Sequence, residues 1–65
     1  MKKITINLTK PNSEEWSHAE KLLVPPKKVN AVIKALRENK EEFFKNHKLE
    51  LQDRKIINIF IDDVI

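Results

Sequence analysis

Ile4, Ile6 and Leu8 alternate with Lys3, Thr5, Asn7 and Thr9, a period of two that predicts a half-buried β-strand over residues 2–9. Lys10-Pro11 ends it, because proline has no N–H to give to a ladder. Asn12 with Glu15 three residues later has the form of a capping box. Trp16, Ala19, Leu22 and Leu23 then recur at spacings of three, four and seven, which predicts a first helix starting near Ser13, with Glu14, Glu15, Ser17, His18 and Lys21 facing water.

Val24-Pro25-Pro26 interrupts that pattern, since a residue before proline is driven out of the α region and proline is best tolerated at a helix start. Val29, Val32, Ile33, Leu36, Phe43 and Phe44 next hold one face at helical spacing, predicting a second and longer helix. Lys40 is the polar position on that face, and its aliphatic stem can lie along the apolar surface. Lys34 with Glu38, Arg37 with Glu41 and Glu41 with Lys45 set opposite charges four apart, each pair worth about 0.2–0.5 kcal/mol. Asn46-His47-Lys48 closes the helix with side chains suited to the negative end of its dipole. After a polar link around Gln52-Asp53-Arg54, residues Lys55 to Val64 read as an isoleucine-rich strand whose apolar run implies burial on both faces. The expected architecture is one small α+β domain over residues 1–65, in the order β-α-α-β.

Size bears on how such a domain holds together. A chain of 65 residues buries only about 60% of the surface its unfolded form exposes, and domains of this size lean on disulfides, a metal or a partner subunit. The chain has no cysteine, which removes a disulfide framework, a thiolate zinc site, an iron–sulfur site and a cysteine nucleophile, and suits a reducing, cytoplasmic setting. Self-association is the remaining support. The expectation is an intertwined or sheet-paired homodimer, with Ile4, Ile6, Leu8, Val32, Leu36 and Phe43 at its interface.

The basic opening Met1-Lys2-Lys3 lacks the continuous apolar run of a signal peptide. The longest apolar stretch, Ile56 to Ile61 with Asn58 inside it, falls far short of the roughly 20 residues that span a bilayer. No membrane segment is expected, and the glycosylation sequon Asn7-Leu8-Thr9 reads as a chance match.

The net charge of +3 matters through its placement. Residues 1–10 carry Lys2, Lys3 and Lys10 with no acid, and residues 25–36 carry Lys27, Lys28 and Lys34 with none. A symmetric dimer would bring four such clusters together, enough to attract phosphate. Catalytic chemistry finds little to work with. The absence of glycine removes phosphate-cradling loops, and Asp62 and Asp63, as neighbours on a strand, point to opposite faces and read as a soluble strand end. His18 and His47 lie apart with no further ligands at metal spacing, and Ser13 and Ser17 have no recognisable base. The chain is expected to be no enzyme and to use no cofactor or metal.

The strand Lys3-Ile4-Thr5-Ile6-Asn7-Leu8, the following segment with Trp16, and Val32-Ile33-Lys34-Ala35-Leu36 together resemble the ribbon-helix-helix DNA-binding proteins. The likeness covers residues 2–36. In that family two chains pair short N-terminal strands into one antiparallel ribbon that enters the major groove. The resemblance implies Lys3, Thr5 and Asn7 as base readers, and Lys27 and Lys28 at the start of the second helix as phosphate contacts. Val24-Pro25-Pro26-Lys27 stands where the family's turn usually has glycine, and the chain continues past the second helix into a further strand.

Two functions follow as expectations. One is a homodimeric transcriptional regulator that binds duplex DNA through an N-terminal ribbon. The other is a small protein-binding modulator, such as an antitoxin, inhibitor or accessory factor of a phage, plasmid or other mobile element, which uses an exposed sheet edge and has no nucleic-acid role.

Overall fold

A computed structural model describes residues 1–64. The elements run β1 (Lys2–Thr9), β2 (Trp16–Val24), a 3-10 turn (Pro26–Lys28), α1 (Val29–Glu38), α2 (Lys40–Asn46) and β3 (Ile56–Asp63). The chain is thus a small α+β domain in which two helices lie between the first and last strands, with one strand more than the periodicity suggested. The sheet is antiparallel, in the order β2-β1-β3.

The additional strand corrects the expected first helix. Residues 16–24 pair with β1 from Lys2 opposite Val24 to Thr9 opposite Trp16. Directly opposed residues share a face, so Leu22 and Val24 turn toward the helices while Trp16, Ala19 and Leu23 turn away. Apolar residues on both faces of a strand reproduced helical spacing, and pairing with β1 overrode local preference. The supposed capping box is a hairpin connection: Asn12 takes φ 53°, Lys10 N donates to Glu15 O at 2.8 Å, and Glu15 N donates to Ser13 Oγ at 3.0 Å.

The long second helix is two helices. Asn39 breaks it with φ −154° and ψ 88°, and its side chain caps α2. Its Oδ1 accepts from Glu42 N at 3.1 Å, which satisfies one of α2's free amides, while its Nδ2 donates to Glu42 Oε2 at 3.3 Å and ties the two side chains together. Glu41 and Glu42 also lie in the first turn, where the helix dipole favours negative charge. Lys40 is therefore the first residue of α2 and no interruption of a continuous stripe. The Lys34–Glu38 pair forms at 3.8 Å, while Arg37 and Glu41 fall on opposite sides of the break.

Bending at Asn39 lets both helices lay their apolar sides on the same sheet face. Ile4, Ile6 and Leu8 are wholly buried there against Leu36, Phe43 and Phe44. Leu22, Val32, Ile33, Leu49, Leu51, Ile56 and Ile59 pack around that centre. Phe43 and Phe44 meet edge-to-face at 6.2 Å, a favoured aromatic arrangement.

These positions also correct the expected dimer interface. Ile4, Ile6, Leu8, Leu36 and Phe43 are buried, and Val32 half-buried, inside one chain. The apolar side of the helices is covered by the chain's own sheet, so a second subunit is not what hides it.

Candidate functional site

Lys3, Thr5 and Asn7 point to the sheet face opposite the helices, since they alternate with the buried Ile4, Ile6 and Leu8. Register places Lys3 between Leu23 and Asp62, Thr5 between Lys21 and Phe60, and Asn7 between Ala19 and Asn58. Asn7 Nδ2 donates to Asn58 Oδ1 at 2.7 Å, and the Trp16 indole N–H donates to Asn7 Oδ1 at 2.9 Å. The indole is thereby anchored across the sheet although it stays 58% exposed. Small Ala19 beside Asn7 leaves room for it.

Lys27 and Lys28 belong to the 3-10 turn that carries the chain into the helical layer, on the far side of the sheet. The five residues assigned to DNA contact therefore do not share one surface. The ribbon is corrected too: β1 is the central strand, with β2 on one edge and β3 on the other, so residues 2–9 have no free edge to pair with a second chain.

The unexpected site is the outer edge of β3. Val64 N donates to Met1 O at 3.1 Å, which makes this a hydrogen-bonded pair next to Lys2 opposite Asp63. Antiparallel ladders alternate bonded and non-bonded pairs, so the bonded pairs are Lys3 with Asp62, Thr5 with Phe60 and Asn7 with Asn58. The N–H and C=O groups of Ile59, Ile61 and Asp63 therefore point outward, where the sheet has no further strand among the described residues. The side chains match this openness: Ile57 is 45%, Phe60 53% and Ile61 46% exposed. Ile61 lies on the helix-facing side, opposite Ile4, beyond the reach of the helical cover. The burial on both faces that the sequence of this strand implies is not supplied by the described residues. Ile57 is a bulge between the pairs Asn7–Asn58 and Leu8–Ile56, so the regular part of the edge runs from Asn58 to Asp63.

The ends of β3 are fastened. Lys2 pairs with Asp63, and hydrogen bonding and charge from Lys2 hold the Asp63 carboxyl below its ordinary pKa. Lys55 pairs with Glu14 at 2.6 Å and lowers that carboxyl in the same way. Thr9 N donates to Lys55 O at 3.0 Å and Lys55 N to Thr9 Oγ1 at 2.9 Å. Arg54 donates to Thr9 O at 3.0 Å and Ser17 Oγ at 3.1 Å, bridging the approach to β3 with β1 and β2.

On the other side of the molecule an open groove of about 520 Å³ runs between α1 and α2, past Ala31, Ala35, Glu42 and His47. His47 stacks on Phe43 at 4.2 Å, and its Nδ1 lies 2.9 Å from Phe43 O, so that nitrogen carries the proton and donates. His18 lies 3.2 Å from Glu20 and 3.0 Å from Ser17 Oγ. Among the described residues, no group of three or more His, Cys, Asp or Glu side chains is placed to hold a metal ion, and no helix is long and apolar enough to cross a membrane.

Compared with known proteins, the chain matches no family model, no curated protein and no solved structure.

Proposed function

We propose that the chain is a non-catalytic binding module that takes up an extended polypeptide by adding it as a fourth strand at the free edge of β3. One observation carries this reading: an edge strand with outward-facing backbone groups and no charge between Ile56 and Ile61. Exposed edges in solitary proteins are blunted by charges, prolines or covering loops, because an open one pairs with other chains. Strand addition draws affinity from main-chain hydrogen bonds and specificity from alternate side chains. Ile59 and Ile61 supply one set of alternating contacts, and Asn58 and Phe60 the other. The non-catalytic part of the reading is supported by the two histidines, each engaged in a local structural contact. Such a module suits a small modulator of another protein, the role of an antitoxin, inhibitor or accessory factor.

The test places a photoreactive phenylalanine at position 61 on β3 and, separately, at position 21 on β2, and irradiates intact cells of the source. Adducts are expected from position 61 and not from position 21. No adduct at position 61, or equal yields at both, would overturn the reading.

The opposite sheet face favours a second reading. Trp16, anchored through Asn7, and Phe60 share that face with Lys3, Thr5 and Lys21. Aromatics stack on unpaired bases for about 1–3 kcal/mol each, lysines meet phosphate, and the amides meet base edges. This reading keeps a nucleic-acid role for Lys3, Thr5 and Asn7, with a single strand in place of duplex DNA. Quenching of the single tryptophan by an oligonucleotide at low salt, weakened in Lys3→Ala and by added salt, is the expected outcome. Equal binding of duplex and single strand, or none, counts against it.

A further inference from the structure

Resting on the strand-addition reading, we propose that the strand received by β3 is β3 of a second copy, in an antiparallel register centred on Phe60. Antiparallel pairing of two identical edges follows a two-fold axis perpendicular to the sheet. It would give one continuous sheet in the order β2-β1-β3-β3-β1-β2, with both helical layers on the same side.

Three features select the register. The outward backbone groups belong to Ile59, Ile61 and Asp63, so a two-fold centred on Phe60 sets Ile59 against the second copy's Ile61, and the reverse. Both are then bonded pairs that exchange N–H and C=O. The regular segment Asn58 to Asp62 is symmetric about Phe60, so the ladder forms without crossing the bulge at Ile57. The acids separate as well: Asp62 falls opposite the second copy's Asn58, whereas a shift toward the end of the strand would oppose Phe60 with Asp62, or Asp62 with its own copy. Like charges directly opposed destabilise a sheet, which disfavours the register centred on Asp62, and the one centred on Ile61 sets both Ile59 and Phe60 against carboxylates in place of apolar partners.

The same register covers what the single chain leaves open. Ile61, 46% exposed on the helix-facing side, gains the second copy's Ile59 as its cross-strand neighbour. Phe60, 53% exposed on the other face, meets its own copy at the axis. An unrelated strand could satisfy the backbone groups, but the match of isoleucine to isoleucine and acid to amide comes from this sequence read against itself.

Cysteine scanning tests the register, because the chain has no thiol of its own. At a non-bonded pair the two Cα atoms stand about 4.5 Å apart, inside the roughly 4.4–6.8 Å that a disulfide spans. Phe60→Cys is expected to oxidise to a covalent dimer. Asn58→Cys and Asp62→Cys, each alone, place their thiols roughly 13 Å from their copies and are expected to stay reduced, whereas a mixture of the two should cross-link. Light scattering of the wild type should give a dimer mass, and Ile61→Pro, which removes an outward N–H and leaves the β1 ladder intact, should give a folded monomer by circular dichroism. If that variant unfolds, Ile61→Lys takes its place with the same expectation.

A dimer that persists in these variants, or in which the Phe60→Cys thiols stay reduced, would overturn the proposal. So would a wild-type monomer at every concentration. In that last case, adducts from position 61 to a different polypeptide would leave strand addition standing and remove only the second copy, whereas no adduct of any kind would remove both.

Discussion

The two outer strands of the sheet make opposite use of the same position. Strand β2 carries His18 paired with Glu20, then Lys21, and runs into Pro25-Pro26, which are the charges and prolines that keep an edge from pairing. Strand β3 carries five large apolar residues from Ile56 to Ile61, broken only by Asn58, and its charges wait until Asp62 and Asp63. Both flank the same central strand and both bulge at the same end of it, at Ser17 and Ile57. Burial within the chain does not explain the difference, because β3 is no better covered than β2. What distinguishes the two edges is how well each tolerates a neighbour, and that points to one side of the sheet as the side built to be occupied.

The largest expected effect removes the ground on which the comparison stands. Phe44→Ala deletes a fully buried ring beneath the helices and should cost about 3–5 kcal/mol, a large part of the stability of so small a domain. Thermal unfolding should drop steeply, and both edges would lose their support together. A melt close to wild type would mean that the helical layer does not hold the sheet.

Moving a guard from one edge to the other sharpens the contrast. Ile61→Lys gives β3 the kind of charge that β2 already has, at a position half open to water. Self-association measured by sedimentation should fall away while the melting temperature changes little, since exposed substitutions usually stay within about 0.5 kcal/mol. Association that survives the lysine would place the contact elsewhere.

The smallest effect is acid sensitivity confined to the ends of β3. Lys2 and Lys55 lower the Asp63 and Glu14 carboxyls relative to the unfolded chain. Their contribution is therefore present above the unfolded carboxylate range and is lost as pH falls through the lowered values. Both carboxyls are exposed, so salt should mask the effect. Amide exchange should show the ends of β3 opening first at acid pH, with Asp63→Asn removing the pH dependence at the Lys2 end. A uniform response along the sheet would count against these pairs as fasteners.

How much of this was legible in the residues follows from where each strand sits. Strand β1 lies at the centre beneath the helices, so its alternation of Ile4, Ile6 and Leu8 with polar residues was plain, and β3 was found from its run of isoleucines. Strand β2 was misread because it is an edge: the helix-facing side accommodates the polar His18 and Glu20, 3.2 Å apart, while Trp16 and Leu23 stand exposed. Its apolar residues thus kept no period of two. The helix break at Asn39 did leave a signal, since Asn39 and Glu42 have capping-box spacing, hidden inside a stripe that stayed apolar on either side. The β3 edge could not be read locally, because a freely exposed isoleucine differs from a buried one only once the neighbouring strand is known to be missing.

The central place of β1 also sets an order of events during synthesis. Its first neighbour follows directly in the chain as a hairpin, and hairpins close within microseconds. Its second neighbour, β3, is made only after both helices. Until then the interior strand is itself an edge, lined by Ile4, Ile6 and Leu8, and a nascent chain could accept the β3 of an older molecule in place of its own. Every newly made copy therefore passes through an interval in which one side of β1 stands open, and the docking of its own β3 closes it.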